Sequence, residues 1–116
     1  MSGWNVALAL ICGDTVIWKG SESTNLCTVA LGKIVGDVLL KNGFKSICTV
    51  VCGTGSVVGA AMVKDPRVPL ISFTGSTAVG RSVSADVHRR FGRTILELGG
   101  NNAVIILPDA DLELAF

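Results

Sequence analysis

Three times along this chain a short run rich in β-branched residues ends at a glycine- or hydroxyl-bearing turn and passes straight into a helical pattern, which restricts the fold more than any other feature. The runs are Thr15–Lys19, Ile47–Cys52 and Leu70–Phe73, and a fourth, Thr94–Leu98, ends at Gly99-Gly100. Between them the spacing predicts helices. The end of one covers about Trp4–Cys12, and Ser21–Thr24 caps a second over Thr24–Leu40, where Leu26, Val29, Ala30, Ile34, Val38 and Leu39 fall near helical spacing before Asn42-Gly43 ends it. A third runs over Ser56–Lys64 until Asp65-Pro66 stops it, and a fourth from Thr77 to about Phe91. Ala103–Leu107 reads as a fifth strand, and Pro108-Asp109 starts one more helix. Strands alternating with helices in this way predict an α/β fold, an open parallel sheet with flanking helices.

Of 116 residues, 49% are hydrophobic and only 16% charged, which excludes a disordered chain and gives an apolar excess expected of a core strip cut from a larger body. The net charge of +1 argues against a nucleic-acid or acidic-membrane partner. The short basic cluster His88, Arg89, Arg90, Arg93 reads as a solvated helix end. Near the start, the longest uncharged apolar stretch, Val6–Cys12, falls far short of the roughly 20 residues that span a bilayer, so no membrane partner is expected. Cys12, Cys27, Cys48 and Cys52 show no CxxC spacing. Cys48 and Cys52, four apart on a strand, would stand about 13 Å apart and cannot share a metal, so no metal site is expected. All are expected to be buried, reduced thiols of an intracellular protein.

The chemistry-bearing residues sit at the turns. Gly53-Thr54-Gly55-Ser56-Val57-Val58-Gly59 follows a strand and opens a helix, but its last gap is one residue too long for the dinucleotide fingerprint, and close helix packing explains the glycines equally well. Phe73-Thr74-Gly75-Ser76-Thr77 aims backbone N–H groups and a hydroxyl at an incoming anion, with an ordinary N-cap as the alternative. Lys19 and Glu22, at a carboxyl strand end, could hold the two hydroxyls of a ribose or form a surface ion pair. Glu97 sits in an apolar run ahead of two glycines that leave room for a ligand. A carboxylate bordering such a pocket can act as general base, its pKa raised by partial desolvation, the alternative being a structural glutamate bonded to backbone.

Taken in order, Trp18-Lys19-Gly20, Phe73-Thr74-Gly75-Ser76-Thr77 and Glu97-Leu98-Gly99-Gly100 resemble the NAD(P)-dependent aldehyde dehydrogenase superfamily over essentially the whole chain. Asn101-Asn102-Ala103, and Trp4-Asn5 ahead of Cys12-Gly13, are similar to the antiquitin, or α-aminoadipic semialdehyde dehydrogenase, branch. The resemblance implies a Rossmann-like domain in which Lys19 binds the adenosine ribose of NAD, with Glu22 as a helper whose charge disfavours a 2′-phosphate. It implies that Gly59 and Ala60 lie close to the adenosine, that Gly75 and Ser76 meet the pyrophosphate, and that Leu98 presents backbone beside the nicotinamide. Glu97 becomes the general base that activates water against a thioester. The Lys19, Ser76 and Glu97 side chains are expected around one bound dinucleotide.

The resemblance also implies what this stretch leaves out. The family's nucleophilic cysteine follows the general base by a few dozen residues, whereas the 19 residues after Glu97 contain none. Its oxyanion asparagine belongs to a block before Trp4, so Asn5 does not take that role. The chain is therefore expected to be a partial aldehyde dehydrogenase domain, residues 1–116, reaching from the cofactor-binding portion to the general-base strand and inactive alone. Its parent is expected to be a cytoplasmic or mitochondrial homotetramer acting on a small aldehyde. A non-catalytic nucleotide-binding or interaction module is the other reading.

Overall fold

The computed structural model describes residues 2–115. Helix α1 (Ser2–Ile11) leads into strand β1 (Val16–Lys19); a 3-10 turn (Glu22–Thr24) opens α2 (Asn25–Lys41), and β2 (Cys48–Val51) follows. A π-helical turn (Gly55–Gly59) opens α3 (Ala60–Lys64); then come β3 (Leu70–Gly75), α4 (Thr77–Arg89), β4 (Arg93–Leu98) and a last turn of helix, α5 (Leu112–Ala115). The α/β class holds, because β1 pairs with β2 and β3 with β4, both in parallel.

The expected sheet is divided, since no ladder joins the two pairs among the described residues. The expected fifth strand does not form either. Residues 103–107 have strand composition but find no ladder to join, and Val104 and Ile105 lie in the open. A strand exists only with a partner for its backbone.

The core is small and lies on one side. Val63, Ile71, Val83 and Val87 form it, with Val68, Phe73 and Leu96 packed against it, so it joins α3 and α4 to β3 and β4. The accessible surface, 8816 Å² for 12.0 kDa, compares with roughly 6,000 Å² for a closed monomer of that mass. That openness corrects the cysteine expectation. Cys12, Cys27 and Cys52 are exposed, and only Cys48 is partly covered, its thiol pKa raised by burial.

The helical stretch Glu22–Lys41, 20 residues with hydropathy 1.3, has the length and composition to cross a bilayer. Two features favour a sheet-covering helix instead. Lys33 and Asp37 pair on it at 3.8 Å, charges that are costly at a bilayer centre. Gly32 lies so close to β2 that an added Cβ would fall 2.3 Å from Val50 Cγ2.

Candidate functional site

At the carboxyl end of β1, Lys19 Nζ donates to the Gly20 carbonyl at 2.7 Å and lies 3.6 Å from the Glu22 carboxylate. The pairing is local. Ser21 Oγ accepts from the Ser23 backbone N–H at 3.3 Å and starts the 3-10 turn that carries Glu22 back over Lys19. The Glu22 carboxyl is held below its ordinary pKa by a hydrogen bond from its own backbone N–H first and by the Lys19 charge second. The backbone N–H of Gly55 adds to this, which brings the turn after β2 to the same place.

That turn is built for close approach. Gly53 has φ +154° and sits so tightly that a Cβ would fall 2.3 Å from Val58 Cγ2. Thr54 Oγ1 then accepts from the Val57 backbone N–H at 3.3 Å, capping the π-helical turn. A π-helical turn is wider than an α turn, and the extra residue between Gly55 and Gly59 that breaks the dinucleotide fingerprint falls within it. A Cβ on Gly59 would lie 3.9 Å from Lys19 Cδ, so the lysine stem passes over this glycine, with Ala60 next in the chain. Lys19, Glu22, Gly59 and Ala60 therefore adjoin one another.

The remaining predicted residues gather at the carboxyl end of the other pair. Register sets Thr74 opposite Glu97 and Gly75 opposite Leu98. A Cβ on Gly75 would fall 2.6 Å from Phe73 Cζ, so the ring folds beneath the turn. Ser76 Oγ accepts from the Val79 backbone N–H at 3.3 Å and caps α4, whose free N–H groups and dipole suit an anion. Among the described residues, no hydrogen bond or ion pair joins this group to the one around Lys19.

Glu97 corrects an expectation. It is exposed at the strand end rather than partly dry, because no described element covers that face of β4. Sequence reasoning also missed two contacts that hold this end. Thr77 Oγ1 donates to the Gly99 carbonyl at 3.2 Å, and Leu98 lies against Gly80, where a Cβ would fall 2.4 Å from Leu98 Cδ2. Thr77 belonged to the hydroxyl-rich turn, but nothing local marks a partner 22 residues away. His88 is exposed on the helix end, its Nδ1 3.2 Å from Ser84 Oγ. Two open grooves of about 330 Å³ are lined by other residues, one beside Leu40, Phe44 and Cys48, the other beside Ile17, Val58 and Met62, next to Gly59 and Ala60 in the chain.

Comparison with known proteins covers the whole chain. The profile described as the aldehyde dehydrogenase family matches residues 1–116. The α-aminoadipic semialdehyde dehydrogenase of Bos taurus is 54% identical over 112 residues, which are 97% of this chain and 21% of that protein. Aldehyde dehydrogenase family 7 member B4 of Arabidopsis thaliana is 51% identical over 113 residues, 97% of this chain and 22% of the relative. Among solved structures, betaine aldehyde dehydrogenase from Staphylococcus aureus in complex with NAD+ superposes with a TM-score of 0.88 at 36% identity, over 98% of this chain and 22% of that one. The chain thus spans about a fifth of the length of the relatives it matches.

Proposed function

The chain belongs to the aldehyde dehydrogenase family, and from that premise we propose that it forms the cofactor-binding and general-base portion of an enzyme oxidising an aldehyde to its carboxylic acid with NAD. The substrate belongs to the α-aminoadipic semialdehyde class of lysine breakdown, supported by identities above one half to that branch. Betaine aldehyde dehydrogenase, the solved relative that holds NAD+, supports the cofactor.

The chain's own residues fit a dinucleotide. One ammonium and one carboxylate 3.6 Å apart match the hydroxyl pair of a ribose, and the bare Gly59 beside Lys19 leaves room for the adenosine. Ser76 and the α4 N-terminus suit the pyrophosphate, and Leu98 at the strand end suits the nicotinamide. When bound, NAD supplies the hydride acceptor. Glu97 takes a proton from water as the water attacks the carbonyl carbon of a thioester to a cysteine outside these 116 residues; the C–S bond breaks, releasing the acid and the thiolate.

The Lys19–Glu22 pair at the strand end carries this reading. Calorimetric titration of NAD into the chain is expected to show saturable binding that weakens about tenfold, roughly 1.4 kcal/mol, in Lys19→Ala. Binding that ignores Lys19 would overturn the assignment.

A further inference from the structure

After Leu98 the chain meets two glycines in succession, and a strand end followed by such residues is free to swing unless something holds it. Two side-chain arrangements hold it here. Thr77 Oγ1 donates to the Gly99 carbonyl at 3.2 Å, and the absence of a Cβ at Gly80 lets the Leu98 side chain lie directly on α4, its Cδ2 within 2.4 Å of where that Cβ would stand. Thr77 and Gly80 are three residues apart and share one face of the helix. On the same side of the molecule, Arg90 Nε donates to the Val63 carbonyl across 27 residues.

The grip has a direction. Successive side chains of a strand point to opposite faces, so seating Leu98 on α4 turns Glu97 away from that helix, while the Thr77 bond fixes the peptide group just beyond. On the same turn Ser76 caps α4 at the place assigned to the pyrophosphate. Resting on the reading of Glu97 as general base, we propose that Thr77 is a positioning residue. Its hydroxyl ties the anion-binding turn to the strand end that carries Glu97, so that ordering of the one orders the other.

Backbone order parameters of the ¹⁵N-labelled chain test this, with Thr77→Val and Thr77→Ser compared. In the parent chain and in Thr77→Ser, Gly99, Gly100 and Asn101 are expected near the rigid value of about 0.85, and in Thr77→Val below about 0.6, with Leu96 unchanged. Parent-like order in Thr77→Val, or no recovery in Thr77→Ser, overturns the proposal. Should the valine chain unfold throughout, the serine chain decides: parent-like order supports the hydroxyl anchor, and loss of order overturns it. With NAD added, Gly99–Asn101 are expected to stay near about 0.85 in the parent and below about 0.6 in Thr77→Val; recovery of order in Thr77→Val on adding NAD overturns the coupling. If the parent does not bind NAD, the functional reading fails while the ligand-free comparison still judges Thr77.

Discussion

The two strand pairs are built from similar sequence and end in similar turns, yet only one has a core. Between α3, α4 and the β3–β4 pair lie Val63, Ile71, Val83 and Val87, whereas Val6 and Thr28 are the buried residues elsewhere among those described. On the β1–β2 side, α1 and α2 each cover part of a strand and leave Leu26, Ile34 and Val38 in the open. The Lys19–Glu22 pair nevertheless forms there, because partners three residues apart need only a capped turn. The Thr77–Gly99 and Leu98–Gly80 contacts join distant parts of the chain and occur where packing holds those parts in place. Local pairing needs no core, and the open side still brings Lys19 over Gly59; the core adds buried apolar contact beside the Thr77–Gly99 anchor.

The sharpest way to break that contrast is to place a charge in each half. Val87 is 0% exposed, so Val87→Asp strands a carboxylate among apolar groups and is expected to cost several kcal/mol, enough to abolish the cooperative urea transition followed by circular dichroism. Leu26 is 87% exposed, and Leu26→Asp is expected to stay within about 0.5 kcal/mol of the parent. Equal losses in the two variants would mean that the halves are packed alike.

Next in size is the addition of one methyl group to a glycine in each half. A Cβ on Gly92 would lie 2.7 Å from Val87 Cγ1 and 3.2 Å from the Pro69 carbonyl oxygen, neither of which can withdraw easily. Gly92→Ala is therefore expected to destabilise by about 2 kcal/mol. Gly36, inside α2, has nothing within 4 Å of its added Cβ, so Gly36→Ala is expected to stabilise by about 0.5–1 kcal/mol through helix propensity. Urea midpoints moving in opposite directions would sharpen the contrast; a stabilising Gly92→Ala would break it.

The same contrast explains what was legible in the sequence. Strands and helices were readable because their signals are local: the β-branched runs, the Ser21 and Ser76 caps, and the Asn42-Gly43 stop all act within a few residues. Lys19–Glu22 was legible for the same reason. Burial was not, since it depends on what lies opposite: Ala103–Leu107 has the composition of a strand without a ladder, three cysteines that read as core are exposed, and Glu97 stands in water. The bare Cα of Gly80 could be seen in the sequence, but its partner Leu98 could not. The π-helical turn at Gly55–Gly59 left only an indirect sign, the fingerprint spacing that failed.

Among the described residues, each half also has one non-glycine residue in left-handed backbone, and these give smaller effects. Phe91, at φ 60°, follows the α4 C-cap and is 97% exposed, so its ring gains little from the position while its Cβ crowds the backbone. Phe91→Gly is expected to stabilise by about 1 kcal/mol. Ser46, at φ 57°, occupies the loop before β2, and Ser46→Gly is expected to give less, because a small polar residue tolerates that region better than an aromatic one. Thermal or urea unfolding of the two variants checks the order.

The smallest expected difference is in acid, where each half has one carboxylate held below its ordinary pKa. Asp65 is drawn from 3.8 to about 2, chiefly by the Arg67 side-chain hydrogen bond and then by the Arg67 backbone N–H. An unfolded aspartate takes up its proton near 3.8, so the Asp65 contribution is whole above that pH and is lost as the pH falls toward 2. Glu22 is lowered in the same sense by its own backbone N–H and then by Lys19, so its contribution too is present above the ordinary glutamate value of 4.5 and fades below it. Glu22 is exposed and Asp65 partly covered, but its partner Arg67 stands in water, so water and salt screen each pair. Asp65→Asn is therefore expected to flatten the fall of the urea midpoint between pH 4 and 2 slightly, and Glu22→Gln to flatten it less. A larger change in Glu22→Gln would make the open half the more acid-sensitive one and reverse the ranking, tying acid response to the Lys19 pair rather than to the chain beside the core.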